Sequence, residues 1–327
     1  MTSKAVTRHF PGLCASLDPE LWQVRGLIER ELSGHTGAAG RMLWRMLPLR
    51  GKMLRPVLVL LSGRSHGRLT RTHVQLAAVV EMIHQGALIH DDVLDHAETR
   101  HGRPSANHAL GNASAVMLGD LLVAHAFGLC AGLGVPRFAQ LIGATLAELC
   151  EGEAEQISHR GRWQITPAEY LQVVDRKTAS LTAVACRLGA EASGAAEPAA
   201  AALARYGRKV GAAFQIVDDV LDLVGQAEAL GKALGQDLAG GDLTLPVIHY
   251  LRCDEAHVEQ VRAAAEGTSA DRAALTGALG RAGSIDYARA TARQYVQEAL
   301  AALESVPASP ARDELTALAE LVLTRRN

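Results

Sequence analysis

Two short runs carry the residues best suited to chemistry: Asp91, Asp92 and Asp95 in LIHDDVLDHAETR, and Asp218, Asp219 and Asp222 in FQIVDDVLDLVG. On a helix, residues i and i+4 share a face with i+1 close beside them, so each run concentrates up to three negative charges within one turn. Carboxylates that close repel and raise one another's pKa, a cost a protein carries mainly where a cation resolves it. Oxygen-only ligands favour a hard ion. Mg²⁺ in particular is held by one or two carboxylates together with water and substrate phosphates. Two such faces imply a diphosphate bridged by metal. The plain alternative is a pair of solvated acidic faces. Both runs, however, are embedded in apolar helix, after Ala87-Leu88-Ile89 and after Phe214-Gln215-Ile216-Val217, which speaks against it.

An anionic substrate also needs cations, and candidates stand near the clusters: Lys52 and Arg55 in GKMLRP, Arg100 after the first cluster, Lys177 in Arg176-Lys177-Thr178, and Lys232 after the second. Each alone would pass for a surface charge. Gly51 allows close approach of the backbone to a phosphate, Arg55 can fork onto two oxygens, and lysine supplies a point charge. No GxxxxGKS loop and no GxGxxG after a strand appears, so nucleotide-type phosphate binding is not indicated.

The elements that position these residues read as helix. Aromatic residues are only 4%, Ala and Leu dominate, and alternating β-branched runs are scarce. Helix starts are visible at Asp18-Pro19-Glu20, at Thr166-Pro167-Ala168-Glu169, where Thr166 and Glu169 can form a capping box, and at Thr268-Ser269-Ala270-Asp271. Stops fall at Ser33-Gly34, Gly102-Arg103-Pro104, Gly132-Leu133-Gly134, Gly240-Gly241 and Gly283. Helices of roughly 15 to 25 residues between these marks can bundle around a shared interior. The expected fold class is therefore all-α. With 48% apolar residues and no Pro-, Gly- or Ser-rich linker, the 327 residues are expected to form a single domain, 1–327, with 1–16 a flexible N-terminal segment.

A formal net charge of −2 suggests neither nucleic acid nor a polybasic membrane surface as partner. The five cysteines (Cys14, Cys130, Cys150, Cys186, Cys253) are spread, odd in number and lack CxxC spacing, which points to a reducing cytoplasm and away from disulfides or zinc. The most apolar stretch, Leu118 to Cys150, is interrupted by Asp120, His125, Pro136 and Arg137, so no membrane-spanning helix is expected.

Seven motifs in order make the chain resemble the trans-isoprenyl diphosphate synthase (polyprenyl synthetase) family, and its bacterial long-chain, octaprenyl-like branch in particular. They are GKxxRP, the Glu81-Met82-Ile83-His84 run into the first cluster, GNASAVMLGDLL, CEGEAEQ, Lys177-Thr178, FQIVDDVLD and LGKALGQDLAGGDLTLP. The resemblance implies a single large helical bundle around a central elongated cavity, and a prenyltransferase that condenses isopentenyl diphosphate with an allylic diphosphate into an all-trans long-chain product. It implies that Asp91, Asp92, Asp95, Asp218, Asp219 and Asp222 hold two or three Mg²⁺ ions on the allylic diphosphate. Arg100, Lys177, Thr178, Gln215 and Lys232 would contact that substrate, with His101 beside it, and Gly51, Lys52, Arg55 and His84 would hold isopentenyl diphosphate. A homodimer is implied too, with peripheral membrane contact for product release. The alternatives are a short-chain geranylgeranyl or farnesyl diphosphate synthase and a non-catalytic partner subunit of a heteromeric synthase.

Two positions depart from the family's pattern. Arg100 is followed by His101 where a second arginine is usual, and Gly241 by Asp242 where a lysine is usual; Asp242 would place an unfavourable charge near a diphosphate. The resemblance also makes the fifth residue before the first cluster a floor for the growing chain. Here that residue is Gly86, with Ala87 beside it, neither of which can block an elongating tail; Met82, Ile83 and Val79 are candidate deeper walls.

Overall fold

Ala- and Leu-rich runs with few β-branched alternations do fold as helices. The computed structural model describes residues 15–33, 53–100, 102–225 and 234–325. Its helices are α1 (Asp18–Ser33), α2 (Leu54–Arg64), α3 (Arg71–Leu94), α4 (Ala106–Leu110), α5 (Asn112–Ala131), α6 (Pro136–His159), α7 (Pro167–Val174), α8 (Ser180–Ala192), α9 (Glu197–Val224), α10 (Gln236–Ala239), α11 (Leu245–Cys253), α12 (His257–Glu266), α13 (Ser269–Arg281), α14 (Ser284–Leu303) and α15 (Pro310–Thr324). Among the described residues the one strand pairing is small and antiparallel, β1 (Thr99–Arg100) with β2 (Arg103–Pro104), where the sequence indicated only a turn. Gly102 turns the corner at φ 72°, a conformation that costs glycine little.

The expected caps form. Thr166 Oγ1 accepts from the Glu169 N–H at 3.2 Å, while Glu169 Oε2 accepts from the Thr166 N–H at 2.8 Å. Asp271 Oδ2 accepts from the Thr268 N–H at 2.7 Å. Asp120, exposed, and His125, half-buried, stand within α5, which ends at Ala131, before Pro136 and Arg137. The 20-residue α5 is long and apolar enough to cross a membrane by length and composition; its most apolar 18-residue window has a mean hydropathy of 1.6, and 33% of that window is buried inside the protein.

Two compact units divide the chain. The first comprises Met1–Thr145, Leu181–Gly207 and Ala302–Leu318. Helix α2 is its buried centre: Leu54 and every residue from Pro56 to Gly63 are buried. A Cβ on Gly189 of α8 would run into the carbonyl of Val59, so glycine is what lets these two helices approach. Helix α3 lies on α5 in the same way: a Cβ on Gly86 would stand 3.1 Å from both Gly119 O and Val123 Cγ2. Gly86 is thus a packing glycine between two helices. A tyrosine there would strain the helix pair before it could act on any chain.

The second unit comprises Leu146–Ser180, Arg208–Ala301 and Ala319–Asn327. Half-buried polar contacts of Arg208 join α9 to α6 and to the turn after α7. Arg208 of α9 forks onto Glu148 of α6 at 2.9 Å and reaches Asp175 at 2.5 Å. Between α7 and α8 the chain makes one π-helical turn, Asp175–Ala179. Such single wide turns recur at functional sites because they redirect side chains within a continuing helix.

Candidate active site

The first aspartate cluster sits at the C-terminal end of α3, in the first unit. Asp91 and Asp92 belong to the last turn of the helix, and Asp95 is its C-cap, at φ −94° and ψ 1°. His96 then takes a left-handed conformation, φ 51°, which ends the helix without a glycine. Burial differs sharply within the cluster: Asp92 is 2% exposed, Asp91 is half-buried and Asp95 is exposed. Arg100 reaches back from β1 and grips Asp92 Oδ1 with Nε at 2.8 Å and Nη2 at 2.7 Å. The connection is fixed on its other side as well: Ala97 O accepts from Ser105 Oγ at 2.5 Å and from Asn107 Nδ2 at 3.1 Å.

The second cluster lies on α9, in the second unit, within a more polar network. Asp219 is 5% exposed. Its Oδ2 accepts from the Tyr170 hydroxyl of α7 at 2.5 Å, and its Oδ1 from Gln215 Nε2 at 2.8 Å. Gln215 in turn accepts from Thr178 Oγ1 at 3.0 Å. Burial pushes the Asp219 carboxyl up to about 7; the Tyr170 and Gln215 hydrogen bonds oppose this, and the like charges of Asp218 and Asp222 add to it. Burial and the same carboxylate push the Tyr170 phenol well above its ordinary value. Asp222 is buried and its Oδ2 accepts from the Asp237 N–H at 3.3 Å. Asp218, the leading residue, is the accessible one: its side chain is 44% exposed and paired with Arg325 at 2.9 Å. Arg325 lies 4.0 Å over the ring of Phe214, one turn earlier on α9.

The sequence-expected residues fall into three groups. Thr178 and Gln215 join the second cluster, and Arg100 joins the first. Lys177 is ion-paired with Glu153 at 2.6 Å. Arg55 is half-buried; together with Arg25 it counters the charge of the buried Glu81, whose carboxyl burial pushes up above its ordinary value. His84 and Ala87 are half-buried, Met82 and Ile83 fully buried. Gly51, Lys52, His101 and Lys232 lie outside the described residues. Asp242 is not the bare negative charge expected from sequence, because Arg160 holds both of its oxygens, at 3.3 and 3.4 Å. Tyr170, Arg325 and Arg160 carried no sequence signal, and Glu153 was marked only as part of the CEGEAEQ motif. Each meets its partner through tertiary packing, Tyr170 across 49 residues.

The donor chemistry fits hard divalent ions. Both clusters offer carboxylate oxygens only, and a bound cation would offset both the burial that raises Asp219 and the like charges of Asp218 and Asp222 that add to it. Among the described residues no three His, Cys, Asp or Glu side chains converge into a ready-made cage. That suits an ion that completes its shell with water and substrate oxygens.

An all-α chain with two helix-borne DDxxD clusters falls in the class of helical isoprenoid synthases. More narrowly, this chain belongs to the polyprenyl synthetase family, which it matches over residues 38–280. It is 37% identical over 303 residues to the heptaprenyl diphosphate synthase component 2 of Geobacillus stearothermophilus, covering 93% of this chain and 95% of that one. It is 35% identical to the octaprenyl diphosphate synthase of Haemophilus influenzae, covering 94% of each. Among solved structures, a polyprenyl synthase from Caulobacter crescentus complexed with calcium and isoprenyl diphosphate superposes with a TM-score of 0.91 at 31% identity, covering 96% of this chain and 97% of that one.

Proposed function

We propose that this chain is a prenyltransferase that condenses isopentenyl diphosphate with an allylic diphosphate primer to make an all-trans long-chain polyprenyl diphosphate. The observation that carries it is the repeated arrangement of DDVLD. In each copy the middle aspartate is buried and held by protein donors, while the leading one is less buried: Asp91 is half-buried and the Asp218 side chain is 44% exposed. Asp91 and Asp218, with Asp95 and Asp222, are the ligands for divalent ions on the allylic diphosphate. Asp92 and Asp219 hold the clusters in shape.

The reaction breaks the allylic C1–O bond, and the diphosphate leaves with the bonding electrons. The isopentenyl double bond attacks the allylic cation, and the proton lost from the adduct goes to the departing diphosphate. Two or three Mg²⁺ ions would neutralise the charge that develops on the leaving oxygens. This chain's residues do the rest. Arg100, Lys177, Thr178, Gln215 and Lys232 orient the allylic diphosphate; Gly51, Lys52, Arg55 and His84 hold isopentenyl diphosphate; apolar helix faces keep water from the cation. No side-chain nucleophile takes part.

The two units act as one catalytic domain, a reading supported by a family match that runs through segments of both. The protein works as a homodimer. Helix α5 supports this with Val116, Met117 and Phe127 exposed on it, Met117 by 61%. Light scattering on the purified chain tests it: a monomer that becomes active only with a second, different subunit would favour the heteromeric reading, which the "component 2" relative brings forward. Free Cys130, Cys150, Cys186 and Cys253 support a cytoplasmic setting, with peripheral membrane contact at product release. Small residues at Gly86 and Ala87 support products longer than twenty carbons. Since Gly86 is packed against α5, Ala87→Phe is the cleaner probe and should shorten the product. The whole proposal is tested by incubating the protein with Mg²⁺, isopentenyl diphosphate and each candidate primer and sizing products by mass spectrometry. A ladder ending above twenty carbons supports it, and no elongation of any primer overturns it.

A further inference from the structure

Among the sequence hallmarks, CEGEAEQ is one to which neither the metal chemistry nor the substrate contacts give a task. It lies on α6, and at its centre Gly152 touches the π-helical turn: a Cβ there would stand 2.7 Å from Lys177 N and 2.8 Å from Arg176 Cβ. No other residue leaves room for this approach. Around that contact the three charged side chains of the turn are each tied down. Asp175 is bonded by Arg208, which also holds Glu148 of α6; Arg176 pairs with Glu155 at 3.1 Å; Lys177 pairs with Glu153 at 2.6 Å. Glu153 and Glu155 are two positions apart and therefore point to different sides of α6, so the turn is gripped on both sides of Gly152.

The Lys177–Glu153 pair differs from the other two in its burial. Its side chains are 20% and 13% exposed, against 35% and 22% for Arg176 and Glu155. Both Glu153 carboxylate oxygens are buried, and among the described residues neither has a hydrogen bond beyond the Lys177 ion pair at Oε2. A carboxylate held that dry depends on its one strong cationic neighbour, and a lysine so held gives up the rotamer freedom of its long stem.

We propose that Glu153, together with the Cβ-free Gly152, is a positioning residue: it presets the Lys177 ammonium and the Thr178 hydroxyl at the π turn for the allylic diphosphate. Neither residue touches substrate. Glu153 fixes the ammonium by charge, Gly152 seats the turn by backbone contact, and Thr178 passes that placement to Gln215 and Asp219. The proposal rests on Lys177 and Thr178 contacting the allylic diphosphate.

The test is a double-mutant cycle on Glu153→Gln and Lys177→Ala, with KM for the allylic primer, KM for isopentenyl diphosphate and kcat measured separately. Glu153→Gln keeps size and removes charge, and is expected to raise primer KM about tenfold with kcat and the other KM unchanged. In the Lys177→Ala background it should add nothing. Gly152→Ala should raise primer KM in the same selective way, and circular dichroism would confirm that each variant folds. If Lys177→Ala leaves primer KM unchanged, the assignment of Lys177 falls and the inference falls with it. If Lys177→Ala raises primer KM but Glu153→Gln costs as much without the lysine as with it, the positioning role alone is overturned. A lower primer KM in Glu153→Gln would overturn it as well, by showing that the glutamate competes with the diphosphate.

Discussion

Asp92 and Asp219 hold the same place in the same five-residue run, yet the protein treats them differently. Asp92 stands in the last turn of α3 and is neutralised by a cation, Arg100, delivered by a two-stranded turn a few residues on. Asp219 stands inside α9 and is held by neutral donors, Tyr170 and Gln215, so its charge is hydrogen-bonded but not balanced. Burial pushes the Asp219 carboxyl up to about 7, and the like charges of Asp218 and Asp222 add to it. Asp92 thus comes with its own counter-charge. In the second cluster the cation, Arg325, pairs with the leading Asp218 and leaves the buried Asp219 to neutral donors.

The largest expected effect falls on what the two clusters share. Asp91→Ala or Asp218→Ala should lower turnover by about a thousandfold or more while helical content stays intact, since each removes an accessible ligand for the ions that stabilise the leaving group. Steady-state rates with Mg²⁺ and circular dichroism check this. Wild-type turnover in either variant would remove that cluster from the chemistry.

Next comes the neutral support of the second cluster, which has no counterpart in the first. Tyr170→Phe takes a donor from a buried carboxylate and should cost about 1–3 kcal/mol of stability and about tenfold in turnover. Denaturant unfolding and kinetics measure the two separately. A Tyr170→Phe loss of stability as large in the Asp219→Asn background as in the wild type would contradict the coupling.

A smaller effect follows from the raised Asp219 carboxyl. The unfolded chain ionises it near 3.8, the folded protein only near 7. Between those values the unfolded state binds fewer protons, so this group weakens the metal-free fold as pH rises from about 4 to about 7, and the loss is complete above that. Thermal unfolding in chelator should show the decline, and Asp219→Asn should flatten it.

The smallest effect concerns Asp242. Its charge is already matched by Arg160, so Asp242→Lys sets a lysine against an arginine instead of supplying a missing cation. Primer KM should change by no more than about twofold, and stability should fall by up to about 1 kcal/mol. A marked fall in KM would mean that Asp242 repels the substrate after all.

Much of this was legible in the sequence because it is local. The spacing of the two DDVLD runs, the capping boxes at Thr166 and Thr268 and the glycine stops each depend on neighbours within one or two turns. The rest depends on distant partners. Nothing in DRKTA distinguishes a π turn from ordinary helix until Gly152 of α6 is set against it. Tyr170 reads as a core aromatic until α9 brings Asp219 to its hydroxyl, and Arg325 as a chain-end charge until it covers Phe214 and pairs with Asp218. Gly86 shows how such a residue can mislead: its small size, read as room for a product, is also what α3 needs to lie on α5.

The central claim is that the leading aspartates do the metal work while the middle ones hold the frame. Its most direct test is the Mg²⁺ dependence of turnover in four single variants, Asp91→Asn, Asp218→Asn, Asp92→Asn and Asp219→Asn. The account predicts that half-saturating Mg²⁺ rises about tenfold or more in the first two and stays near the wild-type value in the other two, whatever their maximal rates. An equal rise in all four, or a rise confined to Asp92→Asn and Asp219→Asn, would contradict it.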